Sequence, residues 1–197
     1  MENKLKKPMK LFLLSLLVGL ANMGCASYQE MYKPTPSGVI EEKEIPEARV
    51  IQTESKYQYY NDKSFEKMFS DMEYYMQRRR MEMTLPIEAE ILKTKNVLRF
   101  YTGDADKDKD LKGSSIVKVL AKPRKTVMSM GARGSYNQRN FDKTSAELWT
   151  WVKQNPKYRK KAEPYAVFWD PSFKLWFLKR YEVHIEVEKV VPVDEMK

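Results

Sequence analysis

The 197-residue sequence predicts an α+β protein: an antiparallel sheet with two amphipathic helices packed on it. Three observations carry that expectation. Phe65, Met68, Phe69, Met72, Tyr75 and Met76 recur at spacings of three and four, the period of one helical face. Other segments alternate apolar and polar residues, notably 87–92 and 173–187, as half-buried strands do. Hydrophobic residues make up 42% of the chain and aromatic residues 12%, enough for a packed core and against general disorder.

The elements follow in chain order. Residues 26–46 read as a tether, because Pro34, Pro36, Gly38 and Pro46 punctuate them and Glu41-Glu42-Lys43-Glu44 is a charge run. A short strand is expected over 48–53. A helix is expected over 62–82, with Asn61, Asp62 or Ser64 accepting from its first free N–H groups. Arg78-Arg79-Arg80 would meet the negative end of its dipole, and Pro86 blocks continuation. Residues 87–92, 97–101, 116–121 and 126–130 read as strands, and 103–113 as an Asp/Lys loop. Thr144 and Glu147 have capping-box spacing, which predicts a second helix over 145–154 that Pro156 ends. Residues 165–169 and 173–191 read as strands around a turn at Asp170-Pro171-Ser172. In the second of these, Phe173, Leu175, Phe177, Tyr181, Val183, Ile185 and Val187 share one parity, and Lys179 marks a bulge or the join between two strands. No internal repeat is visible.

The N-terminus reads as an address. Lys4, Lys6, Lys7 and Lys10 precede an uncharged apolar run over 11–21, which as a helix covers about 16 Å, roughly half a bilayer's hydrocarbon core. Short apolar length and a basic start describe a secretory signal. Asn22-Met23-Gly24-Cys25 follows, and Cys25 is the only cysteine. This segment resembles the signal of bacterial lipoproteins, with Asn22 where an aliphatic residue is usual. The resemblance implies cleavage before Cys25, a diacylglycerol on that cysteine and, from Ala26, the outer membrane in a two-membrane cell. Cleavage at Gly24-Cys25-Ala26 to release a soluble protein, or retention as an uncleaved anchor, are the alternatives. The expected organisation is a signal peptide (1–24), a lipidated N-terminus with flexible tether (25–46) and a single α+β domain (47–197).

Candidate chemistry is sparse. Asp104, Asp106 and Asp108 resemble the start of an EF-hand calcium loop, but Lys109 stands at the glycine position and Ser115 at the bidentate carboxylate position. Met68, Met72 and Met76 form a line of thioethers that Cu(I) would accept, on a stripe that otherwise reads as core. His184 is the only histidine, which excludes multi-histidine zinc sites; a partly exposed strand position beside Glu182 and Glu186 is expected. No G-x-S-x-G elbow supports a serine hydrolase. Lys153, Lys157, Arg159, Lys160 and Lys161 form a basic patch suited to anionic lipid head groups or an acidic protein. Trp169 and Trp176 are candidates for an aromatic platform. No cofactor motif is present, and nucleic acid is not an expected partner of an exported protein despite a formal charge of +9.

The function expected from these features is that of a lipid-anchored cell-envelope lipoprotein, acting without catalysis as a scaffold or accessory through an envelope protein partner. A peptidoglycan- or glycan-binding module is the alternative, and an envelope hydrolase built on scattered carboxylates is a third.

Overall fold

The computed structural model describes residues 28–56, 62–92, 95–170 and 174–190. Its strands are β1 (Gln29–Glu30), β2 (Ile40–Ile45), β3 (Ala48–Ser55), β4 (Thr84–Leu85), β5 (Ile87–Ile91), β6 (Asn96–Tyr101), β7 (Val117–Lys122), β8 (Lys125–Arg133), β9 (Tyr158–Lys160), β10 (Tyr165–Phe168) and β11 (Arg180–Lys189). Two helices, α1 (Asp62–Arg78) and α2 (Gln138–Gln154), complete the α+β fold, with 3-10 turns at Asp104–Asp106 and Trp176–Leu178. The predicted signal, Cys25 and the capping candidate Asn61 lie outside the described residues. No helix among the described residues is long and apolar enough to cross a membrane.

The main sheet runs β2-β8-β11-β10-β5-β6-β3-β7, with β9 pairing β11, and every pair in it is antiparallel. One link forces this sheet to curl. Only Pro123 and Arg124 separate β7, at one edge, from β8, next to the other edge. Three Cα steps reach at most about 11 Å. Six strand spacings laid flat would need about 29 Å. The two edges therefore approach each other and give the sheet an outer and an inner face.

The outer face carries the helices. Rows such as Ala132–Tyr181–Phe168–Ile87–Phe100–Ile51 and Met130–Val183–Ala166–Ala89–Leu98 are apolar from strand to strand. Met68, Met72, Tyr75 and Met76 of α1 and Phe141, Leu148 and Val152 of α2 bury against them. The methionine line is thus packed core, where unbranched thioethers fill irregular gaps.

The halves of the sheet repeat each other. β3–α1–β5–β6 and β8–α2–β10–β11 have the same order of elements, and from the centre outwards the strands read β5-β6-β3 and β10-β11-β8. The sequence hides this repeat because it is one of backbone pattern, not of residue identity.

Three expectations need correction. The supposed tether is part of the domain: β2 pairs β8 along its whole length, and Lys43 faces inward to a partner instead of water. α2 starts about two turns earlier than predicted, capped by Asn137, whose side chain accepts from Asn140 N–H at 2.9 Å. Thr144 lies within that helix, buried and 3.0 Å from the Tyr181 hydroxyl. Finally, β11 begins only at Arg180, just past the parity break at Lys179.

Candidate functional site

The inner face is where the strands place polar side chains. Register puts Ser129, His184, Tyr165 and Glu90 in one row, and Gly131, Glu182, Val167, Glu88, Arg99 and Gln52 in the next. The curl and the N-terminal segment bury most of them. Tyr32 stands edge-on to Trp169 at 5.3 Å and to Tyr101 at 6.0 Å. Gly131 is needed where this segment crosses: a Cβ there would collide with the backbone oxygens of Thr35 and Pro36.

Glu182 is the first of two buried glutamates on this face. Its Oε1 accepts from Thr35 N–H at 2.5 Å, and its Oε2 from Ser129 Oγ at 2.9 Å and Lys43 Nζ at 3.1 Å. His184 Nε2 lies 2.5 Å from the same Oε2, and His184 Nδ1 lies 3.0 Å from Tyr165 Oη. Burial pushes the Glu182 carboxyl up, but His184, Lys43 and the Thr35 N–H outweigh it and hold the group at about 2. Burial lowers the His184 pKa against the pull of Glu182. A neutral imidazole facing a carboxylate must donate from Nε2, so Nδ1 accepts from the Tyr165 hydroxyl. Both ring nitrogens are thereby used.

Glu88 is the second. Its Oε1 accepts from Tyr101 Oη at 2.6 Å and from Lys122 Nζ, which also donates to Tyr101 Oη. Its Oε2 is buried with no hydrogen-bond partner. Burial raises the Glu88 pKa, but the charges of Lys122 and Lys125 and the two hydrogen bonds bring it to about 2. Burial lowers the Lys122 ammonium, against the opposing charge of Glu88, to about 8.

This second cluster opens to solvent. A cleft of about 480 Å³ has Arg99, Lys122, Arg124, Lys125 and Lys161 against Glu90 and Glu186, with Val50 and Leu120 as apolar wall. A neighbouring cleft of about 560 Å³ shares Ala121, Lys122 and Pro123. Arg99 pairs with Glu90 and Lys161 with Glu186 at 3.2 Å. Lys125 Nζ sits 4.1 Å from the centroid of the Tyr165 ring. Cations outnumber carboxylates at the rim, so the cleft suits an anionic organic ligand, and its size falls in the usual range for small-molecule sites.

The residues singled out from sequence fall elsewhere. Asp104 and Asp108 are exposed while Asp106 is buried, its carboxylate taking Glu82 N–H at 3.0 Å and Lys109 at 2.6 Å. The three do not converge, and the described residues contain no cluster fit for a metal ion. Trp169 is fully buried and forms no platform; the side chain of Trp176 is outside the described set. His184 is buried, contrary to expectation. The basic patch is an edge strand and its flanks, with Arg159 on Glu188, Lys160 on Glu163 and Lys161 on Glu186; Lys153 and Lys157 are exposed. Only Lys161 reaches the cleft. Glu88, Tyr101, Lys122 and Lys125 were missed, although strict alternation of Glu88 and Glu90 with Ile87, Ala89 and Ile91 had marked them as a separate face.

Residues 23–186 match the family model described as SOUL heme-binding protein. No curated protein matches the chain. Among solved structures, the C-terminal domain of EcmrR is 16% identical with a TM-score of 0.63, covering 77% of this chain and 98% of that one. EcmrR in a cryo-EM complex with DNA is 16% identical with a TM-score of 0.62, covering 92% of this chain and 65% of that one. A hydrolase from Listeria innocua is 14% identical with a TM-score of 0.53, covering 78% and 94%. At these identities the likenesses show the fold alone. The family match overturns the expected envelope scaffold, along with its wall-binding and hydrolase alternatives. It lends nothing to the associated lipoprotein, acyl-chain or outer-membrane reading.

Proposed function

This chain belongs to the SOUL heme-binding protein family, and from that premise we propose that it binds, without catalysis, an anionic planar ligand of the tetrapyrrole class. The grip is on the ligand's carboxylates in the basic cleft. An axial imidazole is not part of it. His184, the only histidine, is 0% exposed and has both nitrogens engaged by Glu182 and Tyr165. The residues therefore do not fit a haem ligated by histidine.

The single observation that supports the reading is the cationic excess around the 480 Å³ cleft, with the exposed Leu120 offering apolar contact to a ring. Fluorescence titration with metal-free protoporphyrin IX tests it. Arg124→Glu, at a side chain 69% exposed and only loosely paired to Glu44 at 3.7 Å, is expected to weaken binding about tenfold without loss of stability. Unchanged affinity in that variant would discard the cleft as the site.

Destination is a separate proposal carried by residues 1–25 alone: export followed by processing before Cys25. The N-terminal mass of protein recovered from its host tests it, and an intact Met1 would reject it.

A further inference from the structure

We propose that Lys122 is a nucleophilic amine that forms an imine with a small carboxylate-bearing aldehyde or ketone, with Glu88 shuttling the proton. The assignment stands apart from the tetrapyrrole reading. Lys122 borders both clefts, and its side chain is 8% exposed, so it is sequestered yet reachable. Its Nζ contacts Glu88 Oε1 and Tyr101 Oη. The Oε2 of Glu88, buried and without a partner, is an open acceptor beside the amine. Arg124 and Lys125 on the same rim supply charge for the carboxylate. Tyr101 positions Glu88 through its 2.6 Å hydrogen bond.

The step balances with these groups and solvent water. The Lys122 ammonium gives up a proton to solvent. The freed amine adds to the carbonyl carbon, forming the N–C bond, and Glu88 relays a proton from the new ammonium to the carbonyl oxygen. A proton from solvent then goes to the departing hydroxyl. The C–O bond breaks, water leaves, and a protonated imine remains beside an ionised Glu88. The depressed ammonium supports this: with a pKa of about 8 against an ordinary 10.5, the amine is neutral far more often at pH 7 than an exposed lysine. That advantage is offset in part by lower intrinsic nucleophilicity, leaving about a tenfold net gain in rate.

The test uses the full chain with glyoxylate and a hydride reductant, followed by peptide mapping of carboxymethyl-lysine. Lys122 is expected to react about tenfold faster at pH 7 than the exposed Lys143 and Lys157 in the same molecule. Its rate should level off above about pH 8, whereas theirs keeps rising towards pH 10. The groups facing Lys122 that set this profile are Glu88, Tyr101, Arg99 and Lys125. Acetaldehyde, lacking a carboxylate, should show less preference for Lys122. Labelling of Lys122 no faster than Lys143, a rate that tracks the exposed lysines with pH, or equal preference for both aldehydes would overturn the proposal. Competition within the wild-type chain needs no variant to fold.

Discussion

Replacing Lys122 with methionine removes one charge of a buried pair and strands the other. In the folded protein Glu88 is fully buried and held at about 2, against an ordinary 4.5. That difference is worth about 3 kcal/mol. Because the carboxylate pKa is depressed on folding, the unfolded chain binds more protons between the two values. The stabilisation is thus complete above pH 4.5 and lost as pH falls towards 2. Lys122 runs the other way. Its pKa falls from 10.5 to about 8 on folding, a cost of similar size that is full below pH 8 and relieved as pH rises to 10.5. At pH 7 the intact pair nets close to zero, as buried ion pairs often do. In Lys122→Met, burial is no longer opposed by the nearest cation, and the Glu88 pKa rises. The variant should lose about 3–5 kcal/mol at pH 7. With the folded pKa now raised, acid relieves the penalty, so the deficit relative to wild type shrinks at pH 4.5. The double variant Glu88→Leu, Lys122→Met should return to within about 1 kcal/mol of wild type. Urea denaturation followed by tryptophan fluorescence measures all three. A deficit below about 1 kcal/mol at pH 7, or one that grows on acidification, refutes the reasoning.

Other expectations follow from the same geometry. Gly131→Ala should push the segment around Thr35 and Pro36 off β8, seen as faster amide exchange over 31–39 and a loss of about 2 kcal/mol. His184→Ala should cost about 2–4 kcal/mol, since Tyr165 and Glu182 each lose a partner and a cavity opens; where it remains folded, its porphyrin affinity should stay within about twofold of wild type. Calcium at millimolar concentration should leave the melting temperature unchanged, because Asp106 is committed to Glu82 and Lys109; a clear rise would restore the calcium loop.

Much of the fold could be read from the sequence because periodicity reports burial directly. The Phe65–Met76 stripe and the parity of Tyr181, Val183, Ile185 and Val187 identified the outer face of the sheet and the helix that covers it. What periodicity does not report is where polar residues face. Glu88, Glu90, Glu182 and His184 stand at positions that in a flat sheet meet water. Only the two-residue Pro123-Arg124 link, between strands placed far apart in the sheet, turns that face inward. The same ambiguity hid β2, whose charges looked solvated because Glu182, the partner of Lys43, and Tyr158 and Lys189, the partners of Glu42, lie more than 110 residues away in the chain. The start of α2 was misplaced because two capping signals compete, and Thr144 finds Tyr181 instead of a helix N-terminus.

The most direct test of the ligand reading is to titrate the protein in parallel with ferric and metal-free protoporphyrin IX, recording absorbance and fluorescence. Carboxylate recognition in the basic cleft predicts that the two bind within about threefold of each other, and that the ferric spectrum shows no histidine ligation. Tight binding of the ferric form alone, with a histidine-ligated spectrum that disappears in His184→Ala, would contradict it.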